Sequence, residues 1–493
     1  MIARHLPVIQ IIVPLIAAPL CVLIRRRQVV IGFAITVGWV TFGLSAMLLD
    51  RVLGTGVVTY QMGGWAAPWG IEYRVDALSA FVLLFVSGIG AIVLSYAPRS
   101  MADEIPASQH YLFCATYLLC LTGLLGIAIT GDLFNLFVFL EISALSSYTL
   151  IAMGGRRRAL PAAFQYLVMG TIGATFILIG VGLMYMMTGT LNMVDMAARL
   201  PGPEGHRTVL VAFGFLTVGI SLKMALFPLH LWLPNAYTYA PSVVTAFLAA
   251  TATKVSVYIF LRFVFSVFGL GFAFDALALG SILVPLSIVG IFVASTVAIF
   301  QRDIKRMLAY SSVAQIGYMI LGISFASVTG LTAGIVHLFN HALMKGGLFM
   351  AMGCIMLRLG SVDIDDMRGL GRRMPLTMAA WVIGGLGLVG VPLTAGFISK
   401  WVLLQGALEK GWWPVAVLVL LSSLLALTYV WRVVETAYFH PPSERASRAR
   451  EAPPSMLIPT WVLIGATLFF GVATSRSAGV ARRAAEALIS GLQ

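Results

Sequence analysis

Apolar residues run along this chain in blocks of about twenty, separated by short stretches that hold most of its charge. A helix rising about 1.5 Å per residue needs about 20 apolar residues to cross a bilayer core of about 30 Å. By that measure the pattern predicts fourteen spans. They fall near 8–24, 29–49, 76–97, 110–129, 132–153, 161–187, 208–231, 241–265, 275–300, 304–325, 328–357, 375–405, 411–438 and 456–475. The expected fold is therefore an all-α polytopic membrane protein. Residues 51–75 break the pattern. Thr59, Tyr60, Gly63, Gly64 and Pro68 predict a short hairpin on the outer surface. The segment HPPSERASRAREAPP, 440–454, reads as a polar cytoplasmic linker before the last span.

Two spans are expected to be broken. Span 7 has Pro228 inside it and Pro234 at its end, and span 12 contains Pro392 and Gly396. FPLHLWLP around Pro228 is echoed by VPLTAGFISKW around Pro392, 164 residues later (392 − 228), each with a lysine close by. Spans 4–8 and 9–13 are five helices each, so a second copy would lie upside down. Inverted repeats with one discontinuous helix in each half mark transporters. The expected units are 1–109 (spans 1–3 with the hairpin), 110–265 and 266–439 (two inverted five-helix half-channels), and 440–493 (linker and last helix).

Composition agrees with this reading. Of 493 residues, 60% are hydrophobic and 10% charged, against about 25% charged in a soluble domain. The net charge of +13 does not point to nucleic acid, because the cations sit in short loops rather than on a basic domain. With the first loop in the cytoplasm, 17 of the 32 Lys and Arg fall in cytoplasmic loops, nine on the opposite side and six inside spans. That bias predicts a multi-pass protein of the cell inner (plasma) membrane with both termini outside the cytoplasm. The first span closes on Arg25, Arg26 and Arg27 without a cleavage pattern and is expected to be retained. Cys21, Cys114, Cys120 and Cys354 lie in apolar spans with no metal or disulfide spacing.

The charges inside the spans carry the chemistry. A lysine at mid-bilayer costs about 2.5–3.5 kcal/mol on insertion scales, so Lys223 and Lys254 are hard to explain as packing. Glu141 lies about nine residues into span 5, or about 14 Å deep. Asp132, at the start of that span, reads as a helix cap. A lysine that alternates between a carboxylate and another lysine changes its proton affinity. Glu141, Lys223 and Lys254 are therefore candidates for a proton relay. In span 11, His337, His341 and Lys345 recur at i, i+4 and i+8 on one face, and histidine passes protons near neutral pH. Gly346–Gly347 is expected to break that long span. Lys400 follows the break in span 12, a few residues from the outer end, with snorkelling as the plainer reading. His230, near the break in span 7, is an auxiliary candidate. Lys305 is expected at the inner surface, after Asp303 starts its helix. Ser311, Ser312 and Gln315 are candidates to hold water. Arg262, Arg432 and Glu435 read equally well as structural. A bis-histidine haem needs ligands from facing helices, and His5, His110, His206 and His440 lie near span ends or in loops. No phosphate loop, dinucleotide fingerprint, zinc spacing or nucleophile triad appears. The expectation is an ion transporter rather than an enzyme, with no cofactor and no metal.

Five segments carry a resemblance: GDLFNLFVFLEISALSSYTLIA, LKMALFPLHLWLPNAYTYAPSVVTAFLAATATK, RDIKRMLAYSSVAQIGYM, VHLFNHALMKGGLF and GVPLTAGFISKW. Together, over about residues 70–440, the chain resembles the antiporter-like membrane subunits shared by respiratory complex I, membrane-bound hydrogenases and Mrp-type Na⁺/H⁺ antiporters. GDLFNLFVFLEI is most similar to the D-type subunits of Mrp antiporters. The resemblance implies two inverted half-channels joined by a polar line across the membrane centre. It puts the carboxylate–lysine pair on Glu141 and Lys223, the central lysine on Lys254, the histidine bridge on His337 and His341, and the terminal residue on Lys400. It also implies other membrane subunits as partners, and protons and Na⁺ as the ions. The same fold in a redox-driven complex is the alternative, and a non-conducting scaffold is the third. Ending after span 14 speaks against the long A-type subunit.

Overall fold

A computed structural model describes residues 2–200 and 207–491, so His206 lies outside the described residues. The chain opens with α1 (Ile2–Ile24) and α2 (Arg27–Thr55), then the antiparallel hairpin β1 (Val58–Gln61) and β2 (Glu72–Val75), then α3 (Ala77–Glu104). The hairpin pairs Val58 with Val75 and Gln61 with Glu72, where the turn residues predicted it. A first unit follows: α4 (His110–Ile129), α5 (Leu133–Ala152), α6 (Ala159–Thr188), the short α7 (Met193–Arg199), α8 (Arg207–Met224), α9 (Trp232–Tyr239) and α10 (Ser242–Leu261). The second unit comprises α11 (Leu279–Ile299), α12 (Ile304–Ser324), α13 (Val328–Leu359), α14 (Pro375–Val389), α15 (Ala395–Glu409) and α16 (Trp413–Phe439). The short α17 (Glu444–Arg448), then α18 (Pro454–Val472) and α19 (Thr474–Ser490) complete the described chain. Among the described residues, thirteen helices are long and apolar enough to cross a membrane. The fourteenth predicted span, 375–405, is divided between α14 and α15.

The two units share a backbone register. Asp132 accepts from the Asn135 amide and starts α5; Asp303 accepts from the Arg306 amide and starts α12, 171 positions later (303 − 132). Both aspartates are N-caps, which satisfy amides that a helix start leaves unpaired. Leu133 N–H donates to Leu191 O and Met193 N–H to Gly131 O; Ile304 N–H donates to Val362 O and Ile364 N–H to Arg302 O. All four partners keep the 171 offset. So do Gly189 and Gly360, which end α6 and α13 in the left-handed region at φ 70° and 68°. By Pro228 and Pro392 the offset has fallen to 164. The second copy is inverted. Gly131, at the start of α5, bonds to Glu72 of the hairpin. Asp303, at the start of α12, instead lies in electrostatic contact with Arg156, beyond the far end of α5.

Both expected breaks are present, with two corrections. Span 7 ends as a helix at Met224, before Pro228, and Pro234 sits in the first turn of α9 rather than closing the span. Three residues from a helix start, a proline forfeits no intrahelical hydrogen bond. The expected break at Gly346–Gly347 is absent, and α13 runs unbroken for 32 residues. A Cβ on Gly346 would lie 2.6 Å from Leu463, and one on Gly347 2.6 Å from Ile464. These glycines admit α18 side chains; they do not bend α13. The last helix, α19, lies beyond the predicted spans. Its Ser477, Ala481, Ala484, Ala485 and Leu488 are buried, and it packs on α13 and α3. The 440–454 linker is also pinned. Glu451 accepts from Leu376 N–H at 2.7 Å and from the Thr377 hydroxyl at 2.5 Å, capping α14.

The break in span 12 depends on close backbone packing. A Cβ on Gly396 would lie 1.9 Å from Gly387 O. Gly396→Ala should therefore destabilise the purified protein by about 1–3 kcal/mol, read as an earlier thermal unfolding transition in detergent. Gly182→Ala, where a Cβ meets nothing within 4 Å, should leave the transition in place or raise it slightly. Equal transitions for both variants would refute the packing account.

Candidate functional site

Lys223 closes the last turn of α8, and the chain then leaves the helix through Ala225 at φ 58°. The indole of Trp232 donates to Leu222 O at 2.9 Å, a carbonyl that also accepts from Ala225 N–H at 3.2 Å. From this turn the Lys223 ammonium reaches Glu141 Oε1 on α5 at 3.4 Å. Below Lys223, glycines let α8 pack on α6, since a Cβ on Gly219 of α8 would lie 2.7 Å from Gly173 O of α6. Lys223 is buried, but the Glu141 side chain is 27% exposed. Glu141 lies along the same outer stripe of α5 as the exposed Phe134, Val138 and Leu145.

The remaining charges line up in the second unit. Lys254 of α10 is fully buried and donates to Ala249 O and, at 3.4 Å, to the Thr253 hydroxyl. It lies within range for its charge to act on His341, His337 and Lys345 of α13. The two imidazoles lie parallel with centroids 6.0 Å apart. Neither ring nitrogen of His341 has a protein partner, and His337 Nδ1 lies 2.8 Å from the Ser399 hydroxyl. Lys345 donates to Leu308 O at 2.6 Å and to the Ser311 hydroxyl of α12. Lys400 donates to Leu388 O at 3.1 Å and Val389 O at 3.0 Å, carbonyls freed where α14 ends, and to Ser423 at 3.0 Å. Its ammonium lies 4.7 Å from the centre of the Tyr318 ring, which in turn lies 5.7 Å from His337. Lys254, Lys345, His341, His337 and Lys400 therefore form one connected set. Lys223 and Glu141 form another.

The other candidates sit apart. His230 is buried between Phe227 and Tyr310, with Nδ1 unpartnered. Lys305, expected at the inner surface, is 2% exposed and donates to Ala240 O at 2.8 Å. The unwound end of α9 covers it. Ser311 holds Lys345, and Gln315 Oε1 is buried without a partner. Arg432 donates to Ile299 O and Gln301 O, satisfying the end of α11. Pro228 and Pro392 lie in the two breaks.

One charged pair has no counterpart in the sequence reading. Arg262 makes a two-pronged bond to Asp76, at 2.6 and 2.5 Å, and also donates to Ser79 and Tyr258. The Arg262 guanidinium is the counter-charge of the buried Asp76 carboxylate. Asp76 also caps α3 through Ser79 N–H. The Asp-x-x-Ser pattern at the start of an apolar run was the available signal for the cap. Nothing local signalled a partner 186 residues away.

Two broken helices in inverted repeats, with mid-membrane lysines held on carboxylate, carbonyl and hydroxyl oxygens, define a membrane protein of the ion-translocating class. The chain belongs to the family described as NADH:quinone oxidoreductase/Mrp antiporter, TM, which matches residues 130–426. It is 42% identical to the N-type subunit of NADH-quinone oxidoreductase from Desulforudis audaxviator, over 93% of this chain and 94% of that one. It is 28% identical to the D-type subunit of the Na(+)/H(+) antiporter from Bacillus subtilis, over 98% and 97%. Its fold matches a chain in the Mrp complex from Dietzia sp. DQ12-45-1b, with a TM-score of 0.91 at 24% identity over 99% and 98%.

The Asp76–Arg262 pair yields a stability test. Arg262→Met strands a buried carboxylate and should cost about 3–5 kcal/mol. Adding Asp76→Asn, which keeps a capping oxygen for Ser79, should recover part of that loss. Thermal unfolding of the purified protein reads both variants. A double variant less stable than Arg262→Met would mean that the pair is not what stabilises this site.

Proposed function

We propose that the chain is a proton-translocating subunit of a multisubunit monovalent cation (Na⁺)/H⁺ antiporter. The observation that carries this reading is the 3.4 Å Lys223–Glu141 pair at one helix break, followed by the connected lysines and histidines that end at the other. Lys223 is the switching site and Glu141 its counter-charge. Lys254 is the central relay, His337 and His341 are the bridge, and Lys400 is the outlet. His230, Lys305 and Lys345 are auxiliary. Residues 110–265 and 266–439 are the two half-channels. Electrostatics supplies the switch. A charge within about 4–6 Å favours the opposite charge, and burial disfavours either charge alone, so moving Lys223 away from Glu141 changes which group keeps the proton.

Partners and location follow from the same reading. The partly exposed Glu141 carboxyl on an apolar outer stripe supports a neighbouring membrane subunit that covers this face, because a lipid-facing carboxylate at this depth is costly. The cation excess on one side of the spans supports termini outside the cytoplasm in a plasma-membrane protein. End-to-end similarity to a D-type antiporter subunit supports the antiporter assembly. The second reading, a redox-driven complex, is favoured by the 42% identity to an N-type subunit of NADH-quinone oxidoreductase. Co-purification separates them: small membrane subunits alone support the antiporter, and iron–sulfur or flavin subunits support the redox complex.

Mutants of the pair test the relay under either reading. Glu141→Ala and Lys223→Ala should each abolish proton-coupled transport, and the double variant should cost little more than either alone, because the two act as a unit. Lys223→Arg should fail too, since arginine does not release its proton at accessible pH. The assay is cation- or substrate-driven pH change in everted vesicles, with assembly measured separately. Near-normal transport by Lys223→Arg would reduce Lys223 to a fixed charge and end the relay reading.

A further inference from the structure

Lys254 rests on its own helix: its ammonium donates to Ala249 O and to the Thr253 hydroxyl. Where α10 lies therefore decides where this lysine lies. Both ends of α10 are held by carboxylates of one neighbour, α3. At the C-terminal end, Arg262 makes its two-pronged bond to Asp76, the cap of α3. One turn inward, the Tyr258 hydroxyl lies 2.9 Å from the Ser79 hydroxyl of α3. At the N-terminal end, Ser242 N–H donates to Glu104 Oε2 at 2.9 Å. Glu104 is the last residue of α3, so the two helices run antiparallel and are bonded at both ends. Lys305 adds a further hold beside Glu104, through Ala240 O just before α10 begins.

The place of Glu104 is unfavourable for its own helix. A carboxylate at a helix C-terminus opposes the helix dipole, whereas one at an N-terminus is favoured by it. Glu104 ends α3 and meets the start of α10, so its charge suits α10 alone. That start needs an acceptor. Pro241 occupies the N-cap position, and its ring offers no oxygen to the amides that a helix start leaves unpaired. At the far end, the Arg262 cation occupies the C-cap position, which the dipole also favours. We propose that Glu104 is a positioning residue: it holds the first turn of α10 as Asp76 holds the last, and so keeps Lys254 in register with His337, His341 and Lys345 of α13. This rests on the relay reading above and adds the residue that fixes its central lysine. Lys223, at a helix end, is the lysine that moves. Lys254, twelve residues from one hold (254 − 242) and eight from the other (262 − 254), stays in place. Glu104 also borders a pocket of about 230 Å³ with Asp103 and Arg156. A proton-carrying role for its charge is therefore the competing explanation that the test must separate.

The test uses the assembled complex in everted vesicles, with Lys223→Ala as the reference for the relay itself. Glu104→Ala should slow proton transport about ten-fold, within the roughly hundred-fold that a misplacement of about 1 Å costs a positioned group. Hydrogen exchange of amides 242–245 in the same complex should become faster. Glu104→Gln, which keeps an oxygen for Ser242 N–H, should return both to near wild type. Asn192→Ala removes a cap of the same kind from α7, a helix without a relay residue, and should transport normally. Wild-type transport by Glu104→Ala, with Lys223→Ala inactive, would overturn the positioning role and leave the relay standing. Glu104→Gln as slow as Glu104→Ala, with exchange at the wild-type rate, would overturn it in favour of a proton carrier. Asn192→Ala as slow as Glu104→Ala would overturn it by making the loss of any cap sufficient. Active Lys223→Ala would overturn the relay, and this inference with it. If Glu104→Ala does not assemble, Ser242→Pro decides. Proline fits the first helical position and removes the bonded amide while the carboxylate stays. Slow transport by that variant supports the hold, and a wild-type rate refutes it.

Discussion

An ammonium group at membrane depth must find its hydrogen-bond acceptors inside the protein, and the rest of this structure follows from that requirement. Of the six cations that the sequence puts inside spans, Lys223 meets a carboxylate across the bundle and Arg262 meets another. Lys254, Lys345, Lys400 and Arg432 rest on carbonyl and hydroxyl oxygens. Regular helices offer few such carbonyls, because each is already used within the helix. The break between α14 and α15 frees Leu388 O and Val389 O, and Lys400 takes both. The break after α8 puts Lys223 at a helix end. Helix breakage and buried charge coincide at Lys223 and Lys400, one in each inverted copy, whereas Lys254 and Lys345 rest on carbonyls within α10 and α12.

Close packing by glycine makes these contacts possible. Gly173 and Gly219 bring α6 and α8 together beneath Lys223, and Gly387 and Gly396 bring the two halves of the second break together. Gly390 sits beside the Lys400 side chain, where a Cβ would lie 2.9 Å from its Cδ. Without a hydrophobic drive between helices in lipid, such small-residue contacts carry much of the association. The imidazoles of His337 and His341 add a polar strip inside this packing with three ring nitrogens lacking a protein partner. Buried water is the ordinary partner for such atoms.

Much of this was legible in the sequence wherever the signal was local. Apolar runs predicted the spans, turn residues the hairpin, Asp132 and Asp303 the caps, and Pro392 a break. The misreadings came from long-range contacts. Gly346–Gly347 looks like a break until α18 is seen to fill the space beside it. Lys305 looks exposed until α9 unwinds over it. Asp76 and Arg262 are 186 residues apart, and no period or spacing relates them. The sequence echo at Pro228 and Pro392, offset by 164, pointed to the repeat, but the 171-residue register of its first part is set by backbone bonds, with Asp132/Asp303 and Gly189/Gly360 as its side-chain traces. The polar line across the membrane was readable as a set of residue types. Which lysine reaches which neighbour was not, since only packing shows it.

The central claim is that one buried lysine joins the two half-channels, and proton flux through a Lys254→Met complex tests it most directly. Purified complex is sealed into liposomes that hold a pH-sensitive dye, and the driven proton movement is compared with wild type at equal protein. The account predicts that Lys254→Met assembles normally and moves no protons, whereas Lys410→Met, at an exposed loop, is unchanged. Wild-type proton flux in the Lys254→Met complex would contradict it.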